Sequence, residues 1–255
     1  MIKRIDLIGV PGVGKSTILR ELKTRRNDNS WCTTNEVVKE ILNQHFKKKR
    51  YSVQDLILRF SSFFHPSKTY VPVNQDELNV FYSKQLSKDY LIIEKCLQSL
   101  LEDQETDSYL KAKRLSFLID TLEDLKLINH FSSSNTILCD ESLSAKLFSF
   151  VFDVEQFEDQ KSTKTLVSNY LPNGFILMES DENDILKRLK SRNRRTTALA
   201  GLDDEKILEK LHIKKVKFKK AAELLMNLNV KGLIIDTSVP VKESVAKVEN
   251  FMFEI

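Results

Sequence analysis

The sequence is poor in cysteine, glycine and proline and has no long apolar run, and each scarcity narrows the reading. Only three cysteines occur in 255 residues, Cys32, Cys96 and Cys139, far apart and without C-x-x-C spacing. That pattern excludes a disulfide framework and a cysteine-based zinc site. Cys32 and Cys139 fall in predicted strands, where reduced, buried thiols are expected, and such thiols imply a reducing, cytoplasmic setting. No apolar stretch approaches the ~18 residues of a membrane-spanning helix, so no membrane is expected. Met1-Ile2-Lys3-Arg4 runs directly into an apolar strand, so no cleaved leader is expected either. Charge is not lopsided: a net +4 with 30% charged residues accommodates an anionic ligand without demanding nucleic acid. The sharpest basic run, Lys47-Lys48-Lys49-Arg50, reads as a solvated helix end. A chain of this length buries roughly 70–75% of its unfolded surface and needs no disulfide or metal staple.

Glycine is scarce, yet three of the six fall in one stretch, Gly9-Val10-Pro11-Gly12-Val13-Gly14-Lys15-Ser16-Thr17. An apolar run, Ile5-Asp6-Leu7-Ile8, precedes it and reads as a buried strand. Helical apolar spacing follows in Thr17-Ile18-Leu19-Arg20-Glu21-Leu22. Strand, glycine-rich turn and helix form the context in which G-x-x-x-x-G-K-[ST] is a phosphate cradle. Lacking Cβ atoms, Gly9, Gly12 and Gly14 let the backbone curl with its N–H groups inward. The helix start adds unpaired N–H groups and a positive dipole end. Lys15 is placed to reach the β- and γ-phosphates, and the Ser16 hydroxyl to ligate Mg²⁺. The motif predicts binding of a nucleoside triphosphate, taken as ATP, with Mg²⁺.

Along the chain, Ser30–Thr33 reads as a second strand and Glu36–Leu42 as a helix capped by Thr34 or Asn35. Further helices are predicted over about Val53–Phe64, Glu77–Leu101 and Ser108–Asn129. The last two suit an antiparallel hairpin, with stripes such as Leu115, Leu118, Leu122 and Leu125. Thr136–Asp140 is an apolar strand ending in an acid. Helical spacing returns over Leu143–Val151 and Val154–Leu171, stopped by Pro172-Asn173-Gly174. Phe175–Glu179 is another buried strand, followed by a helix that Ser180 can cap. A helix over Asp203–Leu228, a strand over Gly232–Asp236 and a terminal helix opened by Thr237 or Ser238 with Pro240 complete the pattern. Strands alternating with helices, the strands unbroken in hydrophobicity, predict an α/β fold with a parallel sheet covered on both faces. One domain over 1–255 is expected, with a helical acceptor-side insert over 50–131 and a lid over 192–203.

Two further features carry chemistry. An acid ending a buried strand in a P-loop fold belongs beside the phosphate cradle, so Asp140 is a candidate Mg²⁺ ligand. Glu141 follows it, positioned either to orient a water or to handle an acceptor. Arg188, Arg192 and Arg195 lie at i, i+4 and i+7 on one helical face, with Arg194 adjacent. They lead into Arg195-Thr196-Thr197-Ala198-Leu199-Ala200-Gly201, a stretch that could close over a triphosphate and neutralise developing charge.

Gly9–Thr17, Asp140-Glu141-Ser142, Phe175–Arg195 and Ile234-Ile235-Asp236-Thr237-Ser238 stand in the order found in nucleoside and nucleotide kinases. On those segments the chain resembles the thymidylate kinase and deoxynucleoside kinase group. The resemblance implies a three-layer α/β/α fold with a five-stranded sheet in order 2-3-1-4-5. It further implies a catalytic base just after the second strand, where Glu36 stands, lid arginines at Arg192, Arg194 and Arg195, and an adenine near Asp236–Val239. Two departures are visible: Glu141 occupies the place of an arginine, and Glu36 lacks the proline that usually follows. Acceptor specificity would lie between about Arg50 and Phe131, where Arg59, Lys68, Tyr70, Arg114 and His130 are candidates.

The leading expectation is ATP-dependent phosphoryl transfer to a small hydroxyl- or phosphate-bearing acceptor. Lys15, Mg²⁺ and the arginines would stabilise the transferring group, and Glu36 or Glu141 would take the acceptor's proton. Two rivals remain: a P-loop ATPase switch acting on a protein partner, with Asp140-Glu141 directed at water, and a 5′-hydroxyl polynucleotide kinase, which the basic run would suit. Neither an LSGGQ-like signature nor the guanine-specific N-K-x-D occurs.

Overall fold

The computed structural model describes residues 3–26, 30–48, 72–86, 90–104, 106–132, 136–140, 142–148, 170–191, 199 and 201–255. Five strands form one sheet: β1 (Lys3–Ile8), β2 (Trp31–Thr33), β3 (Thr136–Cys139), β4 (Gly174–Glu179) and β5 (Lys231–Asp236). Their order is β2-β3-β1-β4-β5, and every pairing is parallel. This is the predicted order. Parallel strands need crossovers, and the crossovers place helices on both faces. The helices are α1 (Lys15–Arg25), α2 (Thr34–His45), α3 (Gln75–Leu86), α4 (Tyr90–Glu102), α5 (Ser108–Phe131), α6 (Leu143–Lys146), α7 (Glu182–Lys190), α8 (Asp204–Asn227) and α9 (Val241–Glu254).

Burial on both faces explains why the strands read as continuous apolar runs. Ile5, Leu7 and Ile8 of β1 and Phe175, Ile176 and Leu177 of β4 are buried, each stabilising the fold by roughly 1.5–3 kcal/mol. A smaller second cluster packs α2, α3 and α5 against β3 through Val37, Ile41, Leu78, Ile128 and Ile137. No helix among the described residues is long and apolar enough to cross a membrane.

Several boundaries differ from the sequence reading. Within the predicted helix Glu77–Leu101 the described residues form α3 and α4, and residues 87–89 between them lie outside the described residues. Helix α2 starts at Thr34, so its cap is Thr33 instead of Thr34 or Asn35. Helix α7 is capped by Asp181, whose carboxylate accepts from the Asn183 and Asp184 amides. Ser180 is buried instead, and its carbonyl accepts from Lys215 at 3.0 Å. Terminal helix α9 is capped at Pro240 and starts at Val241. The predicted helix over Val53–Phe64, all but Tyr170 and Leu171 of the one over Val154–Leu171, and most of the 192–203 segment lie outside the described residues.

Candidate active site

The turn from β1 to α1 is built by its glycines. Gly12 has φ +89, and a Cβ there would lie 2.9 Å from Leu189 Cγ of α7. Gly14, with φ +116, is the N-cap of α1, and its carbonyl accepts from the Thr17 and Ile18 amides at 3.0 and 3.1 Å. Both conformations are costly for a residue carrying a Cβ. Helix α1 therefore begins at Lys15 with its N-terminus at the mouth of the turn, and Ser16 is exposed in that first turn. Lys15 Nζ donates to Gly9 O at 2.6 Å and to Val10 O at 3.4 Å, so its ammonium is folded over the loop it serves.

Arg188 and Thr237 fasten this loop to the far side of the sheet. The Arg188 guanidinium donates to Val13 O at 3.1 Å, Thr237 Oγ1 at 3.2 Å and Thr237 O at 3.0 Å. Thr237 Oγ1 approaches Val13 O at 2.6 Å and Glu179 O at 3.0 Å. Between α1, Arg188 and the β5–α9 turn opens a cavity of about 340 Å³, bordered by Gly14, Thr17, Ile18, Val239, Val241 and Ser244. Its walls combine aliphatic faces with the Thr17 and Ser244 hydroxyl groups. Ser244 Oγ is buried without a hydrogen-bond partner.

A second cavity, of about 310 Å³, opens at the carboxyl ends of β2 and β3. Since β3 lies beside β1, with Asp6 opposite Cys139, Asp140 stands at the P-loop edge of the sheet and lines this cavity. Its other polar walls come from Asn35, from Asp120, Thr121 and Asp124 of α5, and from Lys146 of α6. Lys146 is buried; its ammonium donates to Phe117 O at 3.0 Å and also reaches Thr121 Oγ1. Burial pushes the Asp124 carboxyl up to about 7, with Lys146 opposing and Asp120 and Glu123 reinforcing the rise. A carboxyl in that range exchanges protons near neutrality.

Helix α6 is held in place from within β1. Asp6 is fully buried, and its carboxylate accepts from Arg4 Nε at 3.0 Å, Ser144 Oγ at 2.6 Å and Ser144 N at 3.3 Å. Arg4 also reaches the Tyr170 carbonyl. The sequence reading absorbed Asp6 into an apolar strand. The available signal was an acid in an otherwise apolar run with Arg4 two residues before it, on the same face of the strand.

Glu36 is engaged by its own helix and by two cations. Its carboxylate accepts from Thr33 N at 2.8 Å and Thr33 Oγ1 at 2.9 Å, closing a capping box on α2. It also pairs with Lys23 at 3.1 Å and Arg26 at 3.3 Å. Burial raises its pKa, but the Thr33 amide, Lys23 and the Thr33 hydroxyl outweigh burial and bring it down to about 2. A carboxylate so committed is a poor proton acceptor, and Glu36 is not among the residues that line the two cavities. Of the other predicted site residues, Glu141, Arg192, Arg194 and Arg195 lie outside the described residues, as do Arg59, Lys68 and Tyr70. Arg114 pairs with Asp103 at 3.0 Å, and His130 stacks edge-on against Phe81 and Phe131. Neither lines the second cavity. The Cys96 and Cys139 thiols are pushed up to about 11 and about 12, chiefly by burial, which leaves them unreactive. Cys32 is only partly buried.

Neither a protein-family model nor a curated protein matches this sequence. Among solved structures, the chain is similar to a deoxyadenosine kinase from M. mycoides with bound dATP. The identity is 16%, with 98% of each chain covered and a TM-score of 0.45. The same enzyme with products dCMP and a flexible dCDP bound gives 16%, 99% and 100% coverage, and a TM-score of 0.47. A shikimate kinase from Bacteroides thetaiotaomicron gives 12%, 99% of each chain and 0.44. These neighbours are small-molecule kinases.

Proposed function

We propose that this protein is a Mg-ATP-dependent kinase that transfers the γ-phosphoryl group to a small-molecule acceptor. The observation that carries the reading is the pair of cavities at the P-loop edge of one sheet, one along α1 and the β5–α9 turn, the other beyond Asp140. A hydrolytic switch needs a nucleotide pocket and a water. A transferase needs a second, enclosed place for a second substrate, and the two cavities fit that need.

The cradle suits a triphosphate: Gly12 and Gly14 leave the backbone open, and Lys15, whose ammonium lies over the Gly9 and Val10 carbonyls, would turn to phosphate oxygens. Ser16 and Asp140 would hold Mg²⁺, which neutralises charge on the β- and γ-phosphates when bound. Among the described residues no group of three or more His, Cys, Asp or Glu could hold a metal. This fits an ion that arrives with its nucleotide. Thr17, Ile18 and Val241 offer an apolar slot for the nucleobase, and Arg188 holds the loop above it. Arg192 and Arg195 are assigned the charge-neutralising part beside the triphosphate. In the loose transition state of phosphoryl transfer, positioning outweighs proton removal. The acceptor's proton is therefore assigned to a carboxylate of the second cavity or to Glu141, and not to Glu36. The helices α3–α5 form the acceptor side, and the P-loop domain spans the chain.

The test is product formation. Purified protein with Mg-ATP and pooled nucleosides, nucleoside monophosphates and sugars should form ADP faster with at least one pool, and a phosphorylated product should appear. Hydrolysis unchanged by every pool would leave the ATPase reading.

A further inference from the structure

The two edges of the sheet are finished differently. At one edge β2 is only three residues long, and side chains occupy its backbone. The Arg26 guanidinium donates to Trp31 O at 3.0 Å and lies over the Trp31 ring, and Glu36 accepts from Thr33 N at 2.8 Å. Short strands and charged side chains laid along the ladder keep an edge from pairing with another chain. The other edge, β5, has six residues, Lys-Gly-Leu-Ile-Ile-Asp, with no proline and with charge only at its ends. Among the described residues, no hydrogen bond reaches a β5 backbone group from outside the parallel ladder to β4. Side chains alternate between the faces of a strand. Ile235 is fully buried, whereas Gly232, Ile234 and Asp236 on the opposite face are exposed, Ile234 by 52%. Their ladder neighbours Phe175 and Leu177 are buried, so the cover on this face reaches β4 and stops short of β5.

We infer that the β5 edge is an interface for a second copy of this chain, the two β5 strands pairing antiparallel about a twofold axis at Ile234. The strand's own pattern selects this occupant. A twofold perpendicular to the sheet keeps every residue on its own face, so directly opposed residues must share a face. The register centred on Ile234 meets that condition. It sets Gly232 opposite the partner's Asp236, Leu233 opposite the partner's Ile235, and the two exposed Ile234 side chains against each other. Cross-strand pairs of β-branched residues stabilise such a ladder, and Gly232 leaves room for the carboxylate across from it. Lys231 and Asp236 are exposed at opposite ends of the strand. Antiparallel pairing brings unlike ends together, whereas a parallel copy would set like charge against like. Lys231 Nζ donates to Glu254 O at 2.8 Å, which puts the last turn of α9 and its 84% exposed Phe253 at the rim. Pairing consumes both open edges, so the assembly closes at two copies.

Sedimentation velocity of the full chain over about 1–100 µM tests this, because self-association depends on concentration. The 29.6 kDa monomer is expected to give way to a species of twice that mass and to nothing larger. Ile234→Lys sets two ammonium groups face to face at the axis and should weaken the dimer at least about tenfold. A urea midpoint within about 0.3 M of wild type reports that this variant is folded. Ile234→Cys, treated with oxidised glutathione, should give a disulfide-linked dimer that wild type does not form. In that step two protein thiols are oxidised to one disulfide while one oxidised glutathione is reduced to two thiols. A monomer at every concentration would overturn the inference. So would a dimer that Ile234→Lys leaves unchanged, or assemblies that grow beyond two copies. Should Ile234→Lys fail to fold, the cross-link decides alone, and no linked dimer above the wild-type level overturns the inference.

Discussion

Replacing Asp6 by alanine removes one carboxylate from the centre of β1 and leaves three donors behind it. Arg4 Nε loses a 3.0 Å partner, and the Ser144 hydroxyl and amide lose partners at 2.6 and 3.3 Å. Asp6 is fully buried and the Arg4 side chain is 13% exposed, so water does little to replace the lost bonds. Breaking a buried pair by removing one partner costs about 3–5 kcal/mol, because the remaining charge stays desolvated. Total stability for a domain is roughly 5–15 kcal/mol, so the loss is a large fraction of it. With a urea slope near ~3 kcal/mol per molar, the midpoint should fall by about 1–1.7 M. Asp6→Asn keeps an acceptor for Ser144 and should lie between wild type and alanine. Ser144→Ala should lose about 1.5–3 kcal/mol, the worth of a hydrogen bond to a charged group. Because Ser144 ties α6 to the sheet and α6 carries Lys146, folded Asp6→Asn should also bind acceptor less well while keeping its nucleotide affinity. A midpoint for Asp6→Ala within about 0.3 M of wild type would refute the role given to this anchor.

Other predictions concern the loop and the cap. Lys15→Ala should lower turnover by about 10²–10³-fold with the unfolding transition unchanged, measured by steady-state kinetics beside a urea titration. Gly12→Ala forces a Cβ into φ +89 and toward Leu189. It should cost about 1–3 kcal/mol of stability, and calorimetry should show weakened nucleotide binding. Glu36→Gln should cost about 1–2 kcal/mol at pH 7, discounted because the side chain is 35% exposed, with turnover per folded molecule retained. The folded Glu36 pKa is depressed to about 2. Its contribution is therefore full above the ordinary glutamate range and fades as pH falls toward 2, so the gap between wild type and variant should close over that window.

Much of the fold is legible because it is periodic. The strands β1, β3, β4 and β5 are apolar runs bounded by turns, and the glycine-rich loop between β1 and α1 has a local grammar with one steric solution. The cradle residues Gly12, Gly14, Lys15 and Ser16 follow from it. Asp140 is legible for the same reason, since an acid closing an apolar strand beside β1 has few other places to be. The second cavity is not legible. Asp120 and Asp124 sit on the polar side of a helix whose Leu118, Leu122 and Leu125 stripe accounts for its packing, and nothing local distinguishes a solvated carboxylate from one over a cavity. Lys146 is buried by a helix whose position depends on Asp6, 138 residues from its partner Ser144. The position of Glu36 after β2 suggests a base, and its spacing of three from Thr33 also closes the cap of α2. The Thr-x-x-Glu pattern was in the sequence, but one residue earlier than the cap assigned.

The central claim is transfer to a second substrate. Its most direct test is ADP formation from Mg-ATP by the purified protein, alone and with each pool of hydroxyl compounds, with product identified by mass. Slow hydrolysis alone, acceleration by at least one pool, and an acceptor heavier by one phosphoryl group are the expected results. A steady rate indifferent to every pool, with inorganic phosphate as the sole phosphorus-containing product besides ADP, would contradict it.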